Sequence, residues 1–442
     1  MNIAFMKIKN TFFLLLYICC VSCIKSQQIT PVTIKTQDEK PVTVNDINFT
    51  ATANQNVTVG ANRTEVYFPL LKNKRVGLVA NQTTVIYKTK SITGGNNSKS
   101  DGNSLQVYTT DFTHIADSLL SSKIKLVKVF APEHGFRGTS DAGETVKDGV
   151  DKKTGLPTIS LYGKNKKPSQ EQLRGIDIMI FDIQDVGVRF YTYISTLHYV
   201  MEACAENNIP LLVLDRPNPN GFYIDGPVLQ PKHQSFLGMH PIPLVHGMTI
   251  GEYAKMINGE EWLANAVSCD LKVIRCQDYD RNHSYHLPIK PSPNLPNDKA
   301  INLYPSLGLF EGTNVNAGRG SNKQFQRFGA PFLNPYKYKF TYTPKPNKGA
   351  KNPKHKGVLC YGRDLSETPR LKSVQLSWLI EAYENSLDKD LFFNSKSFTL
   401  HAGNSNLQHQ IEQGFKMETI RESWKQGIEN FKKTRAKYLL YP

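Results

Sequence analysis

The sequence predicts an α/β protein built on a parallel sheet. Three observations carry that expectation. Short, continuous apolar runs alternate with stretches of helical periodicity. Each run ends abruptly in polar residues. The alternation stops near residue 245, well short of the 442-residue length, and a chain of that size divides into more than one folded part.

The elements follow in order. RVGLVAN (Arg75–Asn81) is the first strand, and the Gly-, Asn- and Ser-rich KTKSITGGNNSKSDGNS that follows reads as a surface loop. DFTHIADSLL (Asp111–Leu120) is expected as a helix capped by Asp111. KIKLVKVFA, ending at Ala131, and DIMIFDI (Asp177–Ile183) are strands. STLHYVMEACAENN (Ser195–Asn208) places Leu197, Val200, Met201 and Cys204 on one helical face, and the strand IPLLVLD (Ile209–Asp215) follows at once. Unbroken apolar strands separated by helices bury both faces of a sheet, the Rossmann-like arrangement. Thr249 and Glu252 form a capping box that opens another helix, and ESWKQGIENFKKTRAKYLLY reads as an amphipathic closing helix.

The expected organisation is a signal segment at 1–26, a linker at 27–62, a Rossmann-like catalytic domain at 63–245 and a second α/β part at 246–442. Lys7 and Lys9 precede a short apolar run, the pattern of an export signal. Cys23 sits in a loose lipobox, so the chain is expected to be exported, either periplasmic or anchored to the membrane through a lipidated Cys23. Cys269 and Cys276 are candidates for a disulfide in such a compartment.

Composition narrows the function. A formal net charge of +16 favours acidic partners, but no nucleic-acid-binding signature occurs and no nucleic acid is expected. No glycine-rich phosphate loop follows the first strand, so no nucleotide cofactor is expected. The paired cysteine and histidine spacings of zinc sites are missing as well, and no metal is expected.

Polar residues at the strand ends are the main signal for a site, because in a parallel sheet all carboxyl ends share one edge, where open α/β folds bind ligands. Asn81-Gln82-Thr83, Glu133-His134, Gln184-Asp185 and Asp215-Arg216 all stand there. Glu133, in FAPEHGFRG, is the foremost candidate. A carboxyl behind a buried strand, beside Pro132 and Phe136, is open to desolvation, which favours the protonated form and suits a proton donor. His134 and Arg137 either bind substrate or hold Glu133. Asp185, Arg189, Tyr191 and Tyr193 follow the next strand, where the rings offer a stacking wall and the arginine a carboxylate grip. Glu144, Glu311, Asn314 and Arg319 lie in further polar, glycine-bearing stretches.

Several stretches together resemble one bacterial family, the exo-β-N-acetylmuramidases, glycoside hydrolases of peptidoglycan recycling formerly described as a domain of unknown function. They are RVGLVANQT, FAPEHGFRG, DAGETVKDGVDKKTGLPTISLYG, DIMIFDIQDVGVRFYTYIST, PIPLVHGMTIGEYAKMING, PSPNLPN and LFEGTNVNAGRG, in the family's order, with YLLYP closing the chain. The resemblance implies a Rossmann-like N-terminal domain and a smaller C-terminal α/β domain with the site between them. It also implies release of N-acetylmuramic acid from the non-reducing end of peptidoglycan fragments. The glutamate of its PEHG motif falls on Glu133. Phe310 stands where the family commonly has the first glycine of GEGTN, which alters the loop before Glu311.

Glycoside hydrolysis normally uses a proton donor and a second carboxylate. With Glu133 as donor, the partner is one of Asp185, Glu144 and Glu311, and Arg189, Arg216 or Arg319 is a candidate grip for the lactyl carboxylate. Two other readings stand beside this one: a metal-dependent cell-wall amidase or esterase using His134, Asp141 and Glu144, and a non-catalytic muropeptide-binding lipoprotein.

Overall fold

A computed structural model of the protein describes residues 57–92, 107–138, 148–282 and 284–442. The proposed signal, Cys23, Asp141 and Glu144 lie outside the described residues.

The strands are β1 (Arg75–Ala80), β2 (Val85–Ile92), β3 (Val107–His114), β4 (Lys125–Ala131), β5 (Gly149–Val150), β6 (Pro157–Ser160), β7 (Ile178–Asp182), β8 (Leu211–Leu214), β9 (Leu271–Ile274), β10 (Arg327–Ala330), β11 (Phe340–Tyr342) and β12 (Cys360–Asp364). The helices are α1 (Thr64–Leu71), α2 (Ile115–Ser121), α3 (Gln170–Leu173), α4 (Tyr193–Glu206), α5 (Ile250–Gly259), α6 (Asp298–Leu307), α7 (Ser377–Glu384), α8 (Ser395–Ala402), α9 (Asn406–Glu412) and α10 (Met417–Ala436).

Among the described residues the main sheet runs β5-β6-β4-β1-β7-β8-β9. All its pairings are parallel except the edge pair β5–β6. Numbered by the parallel strands alone, this is the 3-2-1-4-5-6 order of a doubly wound fold, with the order reversing between β1 and β7. The apolar runs explain it: β7 and β8 are buried at every position, as strands covered on both faces must be. Helix α4 lays Leu197, Val200, Met201 and Cys204 into the core, each fully buried. At about 1.5–3 kcal/mol for a fully buried large apolar side chain, this face far outweighs any helix propensity.

A second layer holds the antiparallel sheet β10-β12-β11 with helices α6 to α10. One continuous apolar core joins the two layers. The chain therefore forms two α/β domains that share a packed boundary.

Several expectations need correction. The first layer continues past residue 245, because α5 and β9 complete the main sheet. The linker expected at 27–62 is built into the fold where it is described: Val59 and Ala61 are fully buried, and Thr58 bridges to Gln277. The loop expected after β1 begins as β2, which pairs antiparallel with β3. Asp111 lies within β3, not at the start of α2. The cap of α2 is His114, whose Nδ1 accepts from the Ala116 N–H at 3.2 Å. Cys269 and Cys276 are free, buried thiols. The Thr249–Glu252 capping box forms as expected. The closing helix is α10, which starts earlier than Glu422 and stops at Ala436; Tyr438 lies in the turn that follows, and Tyr441 bonds to Asp215 of the first layer.

Candidate active site

A cavity of about 680 Å³ opens between the two layers. Its first wall comes from the carboxyl edge of the main sheet. Pairing of β4 with β6 sets Ala131 beside Ser160, so Glu133 and Tyr162 leave neighbouring strands together. The Tyr162 hydroxyl donates to Glu133 Oε1 at 3.0 Å. Thr192, at the start of α4, donates to Oε2 at 3.2 Å. Each carboxyl oxygen is thus aimed by a hydroxyl from a different element.

His134 follows with φ 72°, in the left-handed region, and is buried. A non-glycine residue there stores about 1–3 kcal/mol of strain, which persists only where the surroundings impose it, as at functional sites. The imposed turn brings both Glu133 and His134 to the cavity.

The facing wall comes from the second layer. After α6 the chain makes a tight turn, Gly308–Gly312, which carries Glu311. Arg319 grips Glu311 with both ends of its fork, Nε to Oε1 and Nη2 to Oε2, each at 3.2 Å. Burial pushes the Glu311 carboxyl up, but Arg319, Lys354 and His401 together pull it below its ordinary value. Glu311 is therefore held as a carboxylate. Arg319 also feels the charge of Glu133, which links the two walls electrostatically. Aromatic rings complete the enclosure: Phe190, Tyr191, Phe236, Tyr304 and Phe325 line it. Tyr304 packs edge-on against Phe190 and Phe325, with centroids at 5.2 and 4.8 Å.

Of the residues expected from the sequence, Glu133, His134, Tyr191, Glu311 and Arg319 line this cavity. The others that are described do not line it. Asp185 is buried, accepts from the Gly187 N–H at 2.7 Å and faces His246 at 3.6 Å. Arg137 pairs with Asp151 at 2.8 Å and Asp117 at 3.7 Å. Arg189 is fully buried. Its guanidinium donates to the carbonyls of Pro227 (2.7 Å), Ile242 (2.9 Å), His401 (3.0 Å) and Ala402 (2.7 Å), and burial pushes its pKa down to about 9. Gly403, at φ 79°, makes room for it: a Cβ there would lie 2.5 Å from Nη2. The Tyr193 hydroxyl points at the Pro291 carbonyl, 3.4 Å away.

Asp215 and Arg216, expected at a converging strand end, serve the fold instead. Asp215 accepts from the Gly251 N–H and the Thr249 hydroxyl, both at 2.8 Å, and from the Tyr441 hydroxyl at 2.6 Å. That ties the start of α5 and the end of the chain to β8. Arg216 is clamped by Asp182, Nε to Oδ1 at 2.6 Å and Nη2 to Oδ2 at 2.8 Å. Burial opposes the charge on Arg216, but Asp182 raises its pKa above the ordinary value. Asn314 spends its amide on the Leu391 carbonyl at 2.6 Å.

Tyr162, Thr192, Tyr304, Asn316, Lys354 and His401 also line the cavity and were missed. For Tyr162 a signal existed: it closes the TGLPTISLYG stretch, two residues beyond β6. Among the described residues no cluster of three His, Cys, Asp or Glu is placed to hold a metal.

Residues 76–299 match a family model described as the N-terminal part of the exo-beta-N-acetylmuramidase NamZ, and residues 302–441 match its C-terminal counterpart. The chain is 40% identical over 400 residues to the peptidoglycan beta-N-acetylmuramidase NamZ of Bacillus subtilis (strain 168), spanning 85% of this chain and 89% of that protein. Two crystal structures of DUF1343 family proteins from Bacteroides fragilis NCTC 9343 are similar. One is 44% identical with a TM-score of 0.75, the other 29% identical with a TM-score of 0.71. Each alignment covers 87% of this chain and 99% of the other.

Proposed function

The chain belongs to the exo-β-N-acetylmuramidase family, and we propose that Glu133 and Glu311 are the two carboxyl groups with which it releases N-acetylmuramic acid from the non-reducing ends of peptidoglycan fragments. The observation that carries this reading is one cavity with a carboxyl on each of its opposing walls.

In the proposed reaction the bond between the anomeric carbon and the leaving oxygen breaks. Glu133 gives its proton to that oxygen, water adds its hydroxide to the carbon, and the proton left from the water passes to Glu133 and restores the acid. Glu311, kept ionised by Arg319 and Lys354, faces the positive charge that develops at the anomeric carbon. Tyr162 and Thr192 fix the orientation of Glu133. Tyr191, Tyr304 and Phe325 supply faces for the sugar ring, and the Arg319 and Lys354 cations give the lactyl carboxylate a favourable field.

A chromogenic N-acetylmuramic acid glycoside tests the assignment. Wild type releases the chromophore, and Glu133→Gln and Glu311→Gln each lower kcat by about 10²–10⁴-fold. No release by wild type overturns the activity, and full activity in either variant overturns that residue's role.

We also propose that the protein is exported, on the strength of Lys7 and Lys9 before the apolar run, and that it is either periplasmic or anchored through Cys23 of the loose lipobox. Mass spectrometry of the mature N-terminus tests this: a diacylglyceryl group on Cys23 supports anchoring, and cleavage near Ser26 with no lipid rejects it.

A further inference from the structure

Residues 343–357 form a loop with five lysines, at 345, 348, 351, 354 and 356. Its middle, residues 349–354, forms part of the cavity wall. Asparagine amides hold it at several points: Asn294 on the Gly349 carbonyl at 2.7 Å, Asn316 on the Lys354 carbonyl at 2.9 Å, and Asn347 on the Ser321 carbonyl at 3.0 Å. Lys345, Lys348, Lys351 and Lys356 are exposed, whereas Lys354 is half-buried. Its Nζ donates to the carbonyls of Phe310 (3.1 Å), Glu311 (3.1 Å) and Thr313 (2.5 Å). An ammonium has three N–H donors, and these bonds use all of them. All three acceptors lie on or directly beside the turn that presents Glu311.

We propose that Lys354 is a positioning residue for the hydrolysis, a single ammonium that clasps the cavity wall to the turn bearing Glu311 so that pocket shape and second carboxylate are set together. The inference rests on the reading of Glu311 as that carboxylate. It explains why a lysine is tolerated at a half-buried place: burial lowers its pKa, the neighbouring Glu311 raises it, and Arg319 lowers it. The charged or titratable groups around Glu311 are Arg319, Lys354 from the loop, His401 from α8 and Tyr304 from α6, with Glu133 beyond Arg319. Removing Lys354 takes away one of the charges that keep the Glu311 carboxyl low, so its pKa rises.

The test compares wild type with Lys354→Gln and Lys354→Met on the chromogenic glycoside across pH. Wild-type release is the control: without it the functional reading fails, independently of this proposal. Given release, both variants lose about 10²-fold in kcat, the scale of a small misplacement of a reacting group. The acid limb of kcat/KM moves to higher pH in both. Lys354→Gln keeps donors without charge and serves where Lys354→Met does not fold. Lys354→Arg keeps the charge and retains the wild-type limb. Wild-type kcat in Lys354→Gln, or a loss of kcat with an unmoved acid limb, overturns the proposal. A lysine that merely packed the loop would lower the melting temperature and leave the limb in place.

Discussion

Replacing Arg216 by Met tests whether this residue belongs to the fold or to the substrate. Its guanidinium and the Asp182 carboxylate are both buried, 3% and 0% exposed, and meet in a bidentate contact at 2.6 and 2.8 Å. Removing one partner leaves the other charge without compensation, at a cost of about 3–5 kcal/mol. The unfolding entropy is about 2.1 cal/mol/K per residue, so over roughly 360 residues a loss of ~4 kcal/mol lowers the melting temperature by ~5 °C. The double variant Arg216→Met, Asp182→Leu removes both charges and is expected to recover most of that loss, since apolar replacements of a buried pair are often neutral. Thermal melts of the three proteins measure the stability effect, and kcat at 25 °C measures function separately. An Arg216→Met single variant that melts within about 1 °C of wild type refutes the burial argument. A stable Arg216→Met that has lost turnover returns Arg216 to the substrate side.

Two further outcomes follow. Tyr441→Phe removes the 2.6 Å bond to Asp215 and the 2.8 Å acceptor for the Cys276 N–H; it should cost about 1–3 kcal/mol in denaturant titrations, with kcat unchanged. Burial pushes the His114 pKa down to about 4 from the ordinary 6.5. The unfolded chain therefore takes up a proton that the folded one refuses, and the stability present above 6.5 is lost as pH falls towards 4. Integrated over that window the loss is up to about 3 kcal/mol. Melting curves of His114→Asn, which keeps the α2 cap, should be flatter over the same range; equal slopes refute the assignment.

The sheet was legible because fully buried strands are continuous apolar runs and little else in a soluble chain is. The hairpin was hidden: β2 begins a stretch whose glycines, asparagines and serines read as loop, and its pairing with β3 is a long-range fact. At the site, Glu133 was visible because it follows a strand beside Pro132 and Phe136 in a motif of the family, and Glu311 because the family motifs contain it. The polar residues after β1 and β8 misled, since a buried strand end needs hydrogen-bond partners whether or not it meets a ligand. Thr83 spends its hydroxyl on Asn81, and Asp215 spends its carboxylate on α5 and Tyr441. Tyr162 and Thr192 were missed because their meaning lies in the β4–β6 pairing and the α4 start that bring them to Glu133. Lys354 and His401 were missed because they reach the cavity from the far part of the chain.

Arg189 has a consequence for the catalytic cycle. The carbonyls it holds come from both sides of the cleft, Pro227 and Ile242 from one, His401 and Ala402 from the other. Swinging the halves apart would strip a buried guanidinium of two charge-assisted bonds, each worth about 1.5–3 kcal/mol. One buried side chain thus ties the two sides of the cleft together. A cavity braced in this way presents a preformed site to the sugar, and added viscogen is expected to slow turnover only through encounter and release.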